Sequence, residues 1–434
     1  MIGPGFYPRA IRLAHAGDQD GTILATYQVG AGGPILRSTD GGATFEQIAQ
    51  IDAGAELQAG GGVCCVQLWE MPTALGAFPA GTLLWSGSVT VTPPTATEAR
   101  HNRLAIWRST DHGLTWQRHG DCAESDGGLW EPFFLVADDG SLVCQYSDDE
   151  AEKVAPGAPI PQKLSYTRST DGGLTWGTPH DIVVDPSPIG RPGMATAAKL
   201  PDGTWRMTYE RCGALPPCQV RIRSGPDGLH WGDPKDLGTV VATASGSTLW
   251  HTPVLSWTPH GGPQGTLLLT GQIFNKADGF AEPTSGAVIL ANQRGGAGPW
   301  APIDAPVHIP DPFDHYCPNY SSPVVPLDGD RIFELATEWT TDQRCLVRSG
   351  TGTIPVLTDV ATSTTSITSP PTSTTAPDAG TASTVSPTTT CSTRCATTGG
   401  PSRPTIPRSR CTSAQPQTRL RWRSGSSTMR RGPQ

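Results

Sequence analysis

Two glutamates stand in sequence contexts that favour acid–base chemistry. Glu131 interrupts the apolar stretch LWEPFF, and Glu210 follows Tyr209 in the stretch MTYERC. A carboxyl group set among Trp, Phe and Tyr side chains loses part of its hydration, which raises its pKa and suits it to act as a general acid. The alternative is structural: each glutamate pairs with a nearby arginine, such as Arg191 or Arg211, and only shapes the rim of a pocket.

A recurring nine-residue phrase indicates the scaffold that must position these glutamates. The copies are RSTDGGATF (37–45), RSTDHGLTW (108–116), RSTDGGLTW (168–176) and the worn RSGPDGLHW (223–231). Ser and Asp side chains bond nearby backbone N–H groups in tight turns, Gly supplies a positive φ, and the aromatic residue packs between strands. We therefore interpret Asp40, Asp111 and Asp171 as residues that hold hairpin turns, not as catalysts.

The phrase belongs to a larger repeat, which reads strand, turn, strand, loop, strand, Asp-containing turn and strand over about fifty to sixty residues. Six copies follow one another, from YPRAIRLA near the N-terminus to SSPVVPLDGDRIFELATEW, and the fifth lacks the Asp phrase. The 51 Gly and 42 Pro among 434 residues also favour many turns and short strands. The sequence predicts an all-β fold, a six-bladed β-propeller of four-stranded antiparallel blades, over residues 1–354.

The composition changes after about residue 355. The tract VATSTTSITSPPTSTTAPDAGTASTVSPTTT consists mainly of Ser, Thr and Pro, and the segment that follows it is rich in Arg. Such a tract cannot bury an apolar core, so we expect residues 355–434 to form a disordered tail or a stalk. The Arg-rich end is either a basic interaction tail or the product of a reading-frame error.

Blade topology predicts the face that carries a site. The first strand of a blade leaves one face and the second returns to it, whereas the Asp-containing turn lies on the opposite face. The polar and aromatic residues expected at the first face are Tyr7, Arg9, Gln28, Glu70, Trp130, Glu131, Asp148, Asp149, Arg191, Glu210, Arg211, His251, Tyr316, Tyr320 and Glu338. Two carboxylates that face each other across such a pocket are the minimum machinery for glycoside cleavage.

Charge and hydropathy exclude several partners. The formal charge of −8 gives no electrostatic reason to expect nucleic acid or an anionic membrane, and no apolar run approaches the length of a membrane span. No charged segment followed by an apolar one precedes FYPRAIRLA, so the protein is either cytoplasmic or lacks a signal peptide in this chain.

The eleven cysteines lack the paired CxxC spacing of a structural zinc site, so we expect no metal. We expect free buried thiols or one or two disulfides. Cys64 and Cys65 are adjacent, and the pairs Cys212–Cys218 and Cys317–Cys345 are each spaced to close a loop.

Several segments together resemble one family. They are YPRAIRL, GTILATYQ, FPAGTLLWSG, WEPFFLVADDGSLVCQYSDD, QKLSYTRSTDGGLTW, RPGMATAAKLPDGTWRMTYE and YSSPVV. STDGGLTW is similar to the Asp-box, or BNR repeat, of sialidase-like propellers. The whole set, over roughly residues 5–345, resembles glycoside hydrolase family 93, the exo-α-L-arabinanases.

The resemblance implies a retaining exo-enzyme that removes arabinobiose from the non-reducing end of α-1,5-arabinan without a cofactor. Glu131 and Glu210 match the family's nucleophile and acid/base, and Tyr320 matches a tyrosine near the nucleophile. Arg9, Glu70, Trp130, Arg191, His251 and Tyr316 are then the expected substrate-binding residues. The protein is expected to be secreted and monomeric, with an oligo- or polysaccharide as its substrate.

Two other functions stay open. FYPRAIRL faintly resembles the Arg-containing first strand of exo-α-sialidases, in which Arg9, Arg191 and Arg211 would clamp a substrate carboxylate. Sialidases, however, use Tyr as the nucleophile, and the WEPF context is not theirs. The third hypothesis is a propeller that binds glycans or proteins without cleaving them, or a defective gene product.

Overall fold

Six antiparallel sheets follow one another around a ring, as the sequence predicts, and the fold is a six-bladed β-propeller. The computed structural model describes residues 1–93, 100–153, 161–213 and 218–357. Most of the predicted tail, from residue 358 onward, lies outside the described residues. No helix in the described part of the chain is long and apolar enough to cross a membrane.

The first three blades each use four consecutive strands, after a short N-terminal strand β1 (Gly3–Pro4). Blade 1 contains β2 (Phe6–Arg12), β3 (Ile23–Gln28), β4 (Gly32–Ser38) and β5 (Glu46–Asp52). Blade 2 contains β6 (Gly62–Glu70), β7 (Leu83–Thr92), β8 (His101–Ser109) and β9 (Gln117–Ser125). Blade 3 contains β10 (Gly128–Val136), β11 (Leu142–Asp149), β12 (Lys163–Ser169) and β13 (His180–Val184).

Blades 4 to 6 are less regular. Blade 4 contains β14 (Arg191–Lys199), β15 (Trp205–Cys212), β16 (Gln219–Gly225) and β17 (Thr239–Val240), and its sheet is extended by β18 (Thr248–Trp250). Blade 5 contains β19 (Val254–Thr258), β20 (Thr266–Thr270), β22 (Val288–Asn292) and β23 (Ala301–Asp304), while β21 (Ile273–Asn275) pairs with β18. Blade 6 contains β24 (Val324–Pro326), β25 (Arg331–Trp339) and β26 (Cys345–Thr353). Short 3₁₀ turns lie at Gly17–Gln19, Gly54–Glu56 and Glu150–Lys153.

The N-terminal strand closes the ring. β1 pairs antiparallel with β26, with Gly3 opposite Val347 and Pro4 opposite Leu346. Blade 6 therefore combines one strand from the start of the chain with three from its end. Because the two ends of the propeller share one sheet, removing either would open the ring.

Neighbouring blades pack face to face through apolar side chains. One buried cluster joins Leu24 and Ile35 of blade 1 to Leu68 and Trp85 of blade 2. The Trp85 indole is fully buried and donates a hydrogen bond to Thr26 Oγ1 at 3.2 Å across the same interface. Such packing fixes the angle between blades, and with it the positions of residues at their inner ends.

The recurring Asp phrase holds the turn between the third and fourth strands. Ser38 donates to Asp40 Oδ1 at 2.7 Å, and Asp40 accepts from the backbone N–H and the hydroxyl of Thr44. Asp111 and Asp171 repeat this pattern with Thr115 and Thr175. Strand register places these turns at the end of each blade opposite Glu131, so the interpretation as turn-holding residues is confirmed.

Every blade has a residue with positive φ near the start of its first strand, within the strand in blades 1 to 4 and just before it in blades 5 and 6. These residues are Tyr7, Cys65, Glu131, Met194, Thr252 and Ser321, with φ between 49° and 59°. In the first four blades the residue sits in a β-bulge, where the register to the second strand shifts. A bulge re-aims a side chain that strict alternation would send elsewhere.

Four disulfides link cysteines in the described part of the chain, more than the one or two expected. The pairs Cys212–Cys218 and Cys317–Cys345 form as their loop spacing suggested. Cys64–Cys65 joins adjacent residues, and Cys122–Cys144 joins strands β9 and β11 of neighbouring blades.

Candidate active site

Glu131 lies in the β10 bulge, with a φ of 55°. Its Oε2 accepts a hydrogen bond from the Ser147 hydroxyl at 2.5 Å, and Ser147 Oγ accepts one from the Met194 N–H at 3.1 Å. Because the N–H occupies one side of the Ser147 oxygen, the hydroxyl hydrogen is directed towards the carboxylate. Burial raises the pKa of Glu131 to about 7, while the hydrogen bond from Ser147 opposes this rise.

Glu210 lies on the second strand of blade 4, opposite Gly193 in the β14–β15 hairpin. Its Oε2 accepts the backbone N–H of Thr252, from the next blade, at 2.7 Å. The side chain is only 13% exposed. Burial raises the pKa of Glu210 to about 8; the Thr252 N–H opposes this rise and the negative charge of Glu131 adds to it. The two acids are thus close enough to influence each other's ionisation.

Gly193 keeps the space beside both acids open. A Cβ at this position would lie 3.7 Å from Glu210 Oε1 and 3.3 Å from the Ser147 hydroxyl that bonds Glu131. It would also lie 2.6 Å from Gln162 Nε2, closer than real Cβ contacts allow. A side chain here would therefore press on Gln162 and approach both the Glu210 carboxyl and the Ser147 hydroxyl that bonds Glu131.

Two tyrosines lie beside the acids as neutral phenols. The rings of Tyr7 and Tyr320 are 6.0 Å apart between centroids. Burial raises the pKa of Tyr320 well above its ordinary value, and the charges of Glu210 and Glu131 raise it further. Burial likewise raises the pKa of Tyr7. A phenol in this state is a hydrogen-bond donor and a poor nucleophile.

The three predicted arginines bond to acceptors within the protein. These bonds run from Arg9 Nε to Gln67 Oε1 (2.9 Å), from Arg191 Nη2 to Asp149 Oδ2 (2.8 Å) and from Arg211 Nε to Asp185 Oδ2 (2.6 Å). Arg211 follows Glu210 directly, so its side chain leaves the opposite face of the strand. The arginines therefore do not converge as a clamp for a substrate carboxylate.

The remaining predicted binding residues surround the acids at different depths. Trp130 donates its indole N–H to Asp149 Oδ2 at 3.0 Å. His251 Nδ1 lies 4.0 Å from Glu210 Oε2, and its Nε2 lies 3.9 Å from Asp314 Oδ2. Tyr316 is 53% exposed, with its ring 5.5 Å from that of Phe6, which makes it a rim residue available to a sugar ring.

Solved structures of an α-L-arabinofuranosidase and an α-L-arabinanase have this fold. The family 93 α-L-arabinofuranosidase of Fusarium graminearum, solved with arabinobiose, superposes with a TM-score of 0.63 and 25% identity over 80% of this chain and 92% of that chain. This chain is similar to the family 93 glycoside hydrolases. The α-L-arabinanase of Penicillium chrysogenum, also complexed with arabinobiose, has the same fold, with a TM-score of 0.62, 24% identity and coverage of 81% and 96%.

The wider comparison agrees on fold. A Hadza microbial sialidase has a TM-score of 0.52 and 16% identity over 80% of this chain and 65% of that chain, which shows the fold alone. No protein-family model and no curated protein matches the sequence. The resemblance to family 93 that the sequence predicts is confirmed, and so is the class, glycoside hydrolase.

Glu70 is wrongly placed by the sequence-based prediction. It ends β6 opposite Leu83, whereas the site-facing start of that strand lies near Gly62. Its carboxylate accepts the backbone N–H groups of Ala14 and His15 at 2.8 and 3.0 Å, so it holds a turn at the far end of the blades. The residue of blade 2 equivalent to Glu131 is Cys65.

The sequence-based prediction also missed the groups that position Glu131 and Glu210. Ser147 and Thr252 bond the two carboxyls directly, one through a hydroxyl and the other through a backbone N–H. Ser147 stands next to the predicted acidic pair at the end of β11, which is the one signal that marks it. A backbone donor such as Thr252 N–H carries no residue signature and requires the fold to be known.

Proposed function

We propose that this glycoside hydrolase, whose similarity is to arabinan-degrading enzymes, is a retaining exo-enzyme that releases arabinobiose from the non-reducing end of α-1,5-L-arabinan. The observation that carries the proposal is the pair of buried acids, Glu131 and Glu210, each with a raised pKa and each fixed by its own hydrogen-bond donor. Exo action, retention and linkage rest on the resemblance to family 93.

The surroundings of the two acids support different roles. Glu131 accepts a directed hydroxyl hydrogen bond, which favours its ionised form and suits a nucleophile. Burial raises the pKa of Glu210, and the nearby charge of Glu131 adds to this rise, so Glu210 retains its proton at a higher pH than an ordinary glutamate and suits a general acid. Glu131 attacks the anomeric carbon while Glu210 protonates the departing oxygen; Glu210 then removes a proton from the water that releases the sugar from Glu131.

The hydrogen bonds of the arginines favour a neutral sugar over a sialoside as the substrate. A sialidase needs guanidinium groups aimed at the substrate carboxylate. Here Arg9, Arg191 and Arg211 bond to protein acceptors, and Tyr320 lies beside two acids that disfavour its ionisation. A neutral arabinofuranose requires no such clamp.

We also propose that the enzyme works outside the cell as a monomer. Its disulfides suit an oxidising compartment. Both acids come from one chain, so the site needs no residue from a second copy.

Product analysis on linear α-1,5-arabinan tests the proposal. The expected first product is arabinobiose alone, with the anomeric configuration of its reducing end retained in proton NMR spectra recorded before mutarotation. Glu131→Gln is the matched control, since amide and carboxylate have nearly the same size, and it should release nothing.

Other products would refute separate parts of the proposal. A ladder of oligosaccharides would contradict exo action, and inverted product would contradict the role of Glu131 as nucleophile. Release of sialic acid from a sialoside, with arabinan untouched, would favour the sialidase alternative. Binding of arabinan without turnover by the wild-type protein would favour a non-catalytic propeller.

A further inference from the structure

Glu210 belongs to a second cluster of side chains besides the acid pair. Ligand atoms of Glu210, Cys212, Cys218 and His251 all lie within 4.8 Å of one another. One carboxylate oxygen, two sulfur atoms and one imidazole nitrogen are a donor set that suits Zn²⁺. Sequence patterns do not reveal this cluster, because the spacings between its members match no zinc motif.

Three neighbouring strands bring these donors together. Glu210 and Cys212 are two residues apart on β15, so their side chains leave the same face of the strand. Arg211 pairs with Gln219 across the hairpin, which places Cys212 opposite Cys218. The backbone N–H of His251 donates to the carbonyl of Cys218 at 2.9 Å and fixes the fourth donor beside the third. Backbone pairing, rather than flexible side chains, thus sets the cluster.

The dimensions of the cluster suit a tetrahedral ion. With Zn–ligand bonds of about 2.0–2.3 Å, tetrahedral ligand atoms lie about 3.3–3.8 Å apart. The donor atoms lie within 4.8 Å of one another, and opening the disulfide lets the two sulfur atoms move apart to such a distance. In the structure Cys212 and Cys218 form a disulfide, and only the separated thiolates bind a metal ion strongly.

We propose that the dithiol form of Cys212 and Cys218, together with His251 and Glu210, is a Zn²⁺ site whose occupation stops hydrolysis. A dithiol reductant opens the disulfide, becomes a disulfide itself, and leaves its two protons on Cys212 and Cys218. Zn²⁺ then displaces both thiol protons and the carboxyl proton to water. Exchange with a small-molecule disulfide, which takes up two protons and leaves as its two thiols, releases the ion and closes the Cys212–Cys218 disulfide again.

The inhibitory part of the proposal rests on the proposed function of Glu210. A carboxylate bound to Zn²⁺ has no proton to give to a leaving oxygen and cannot take one from water. The oxidised enzyme is therefore the active form, and the reduced, zinc-loaded enzyme is inactive. Metal binding itself does not depend on the substrate or on the identity of the reaction.

Cobalt titration of the full chain tests the metal site directly. The protein is reduced with a water-soluble phosphine, which takes oxygen from water while the two protons of that water go to the sulfurs. Co²⁺ bound to thiolates gives an intense near-ultraviolet charge-transfer band, and Zn²⁺ should abolish it by displacement. The reduced wild type should bind one Co²⁺ more than the oxidised wild type at this site.

Two double variants identify the ligands. Cys212→Ser/Cys218→Ser should lose this one equivalent, with affinity reduced by more than about 100-fold, since loss of even an outer-shell partner costs about 10–100-fold. The matched control, Cys122→Ser/Cys144→Ser, removes the disulfide between β9 and β11 and should keep the equivalent. Cysteines beyond residue 357 are common to all these proteins, so their contribution cancels.

The outcomes separate the metal site from the proposed function. Equal cobalt binding by the reduced wild type and reduced Cys212→Ser/Cys218→Ser would overturn the site. The oxidised wild type is a second comparison, which carries no substitution and therefore does not depend on whether the variant folds. Zn²⁺ should lower the activity of the reduced wild type by at least about tenfold and leave the oxidised form unaffected. Zinc binding with undiminished arabinan hydrolysis would overturn the part played by Glu210. Cobalt binding as expected in a protein that hydrolyses no arabinan would uphold the site and refute the proposed function instead.

Discussion

Replacing Ser147 by alanine tests whether a directed hydrogen bond keeps Glu131 ionised. The Ser147 hydroxyl donates to Glu131 Oε2 at 2.5 Å and has its other side occupied by the Met194 N–H. A hydrogen bond to a charged group contributes about 1.5–3 kcal/mol, which corresponds to about 1–2 pKa units. Because the bond favours the ionised form, its loss should raise the pKa of Glu131 from about 7 by that amount.

The pH dependence of kcat/KM gives the measurement. An activated aryl α-L-arabinofuranoside needs little help from Glu210 in the first step, so its kcat/KM reports the ionisation of Glu131 alone. In Ser147→Ala the acidic limb of the plot of kcat/KM against pH should shift to higher pH, and kcat/KM at pH 6 should fall by about 10–100-fold. Since the nucleophile itself is intact, the wild type and the variant should converge at alkaline pH.

Ser165→Ala is the matched control for this experiment. Ser165 is a fully buried serine on the adjacent strand β12, and its hydroxyl bonds Asp148 at 3.3 Å rather than either acid. Its acidic limb should coincide with that of the wild type. The same limb in Ser147→Ala and the wild type would refute the assignment of Glu131 as the ionised nucleophile held by Ser147. A uniform loss of rate at every pH would point to a structural role only.

Three further predictions follow from the same geometry. Glu131→Gln should form no covalent glycosyl-enzyme detectable by mass spectrometry. Glu210→Ala should still form this intermediate from an activated aryl arabinoside, and added azide should convert it to a glycosyl azide of retained anomeric configuration. Gly193→Ala should lower kcat without unfolding the protein, because its Cβ would press on Gln162 and approach Glu210 and the Ser147 hydroxyl; unchanged kcat would contradict the view that Gly193 keeps this space open. Burial raises the pKa of Glu334 from its ordinary value to about 8, so the native state holds a proton that the unfolded chain releases, and stability should fall as pH rises through this range. Glu334→Gln cannot ionise and still accepts the Val307 N–H, so its melting temperature should fall less between pH 5 and pH 9 than that of the wild type.

The fold was predictable because the sequence repeats its local chemistry. Each Asp phrase combines a turn-forming Asp, a Gly with positive φ and an aromatic residue, and the same hydrogen bonds recur at Asp40, Asp111 and Asp171. Local signals of this kind survive without knowledge of the tertiary structure. They also fix the direction of each strand, and therefore the face on which a site must lie.

The site was only partly predictable because its contacts join residues from different blades. The apolar surroundings of Glu131 and Glu210 marked both acids in advance. Glu70 was misplaced because an apolar run shows that a strand exists but does not show where it begins. The cluster around Cys218 depends on backbone pairing between β15, β16 and β18, for which single-sequence patterns carry no information.

The positive-φ position explains how a six-fold scaffold acquires a single site. At this position each blade directs one residue towards the ring of first strands, but Glu131 is the only acid among the six; the others are Tyr, Cys, Met, Thr and Ser. The unusual conformation also frees backbone donors for the preceding blade. Met194 N–H bonds Ser147 Oγ, Thr252 N–H bonds Glu210 Oε2, and Ser321 N–H bonds Thr252 Oγ1.

Each of these bonds crosses from one blade to the one before it, so the orientation of the acids depends on how the blades pack. A polar side chain at the inner end of blade 3, 4 or 5 can accept a hydrogen bond from the backbone N–H of the positive-φ residue in the following blade, whatever the side chain of that residue is. The scaffold can therefore exchange residues at the positive-φ positions and keep the hydrogen bonds that hold an acid. In this chain the Met194 N–H serves Ser147 and the Thr252 N–H serves Glu210, so backbone geometry orients Glu210 directly and Glu131 through the Ser147 hydroxyl.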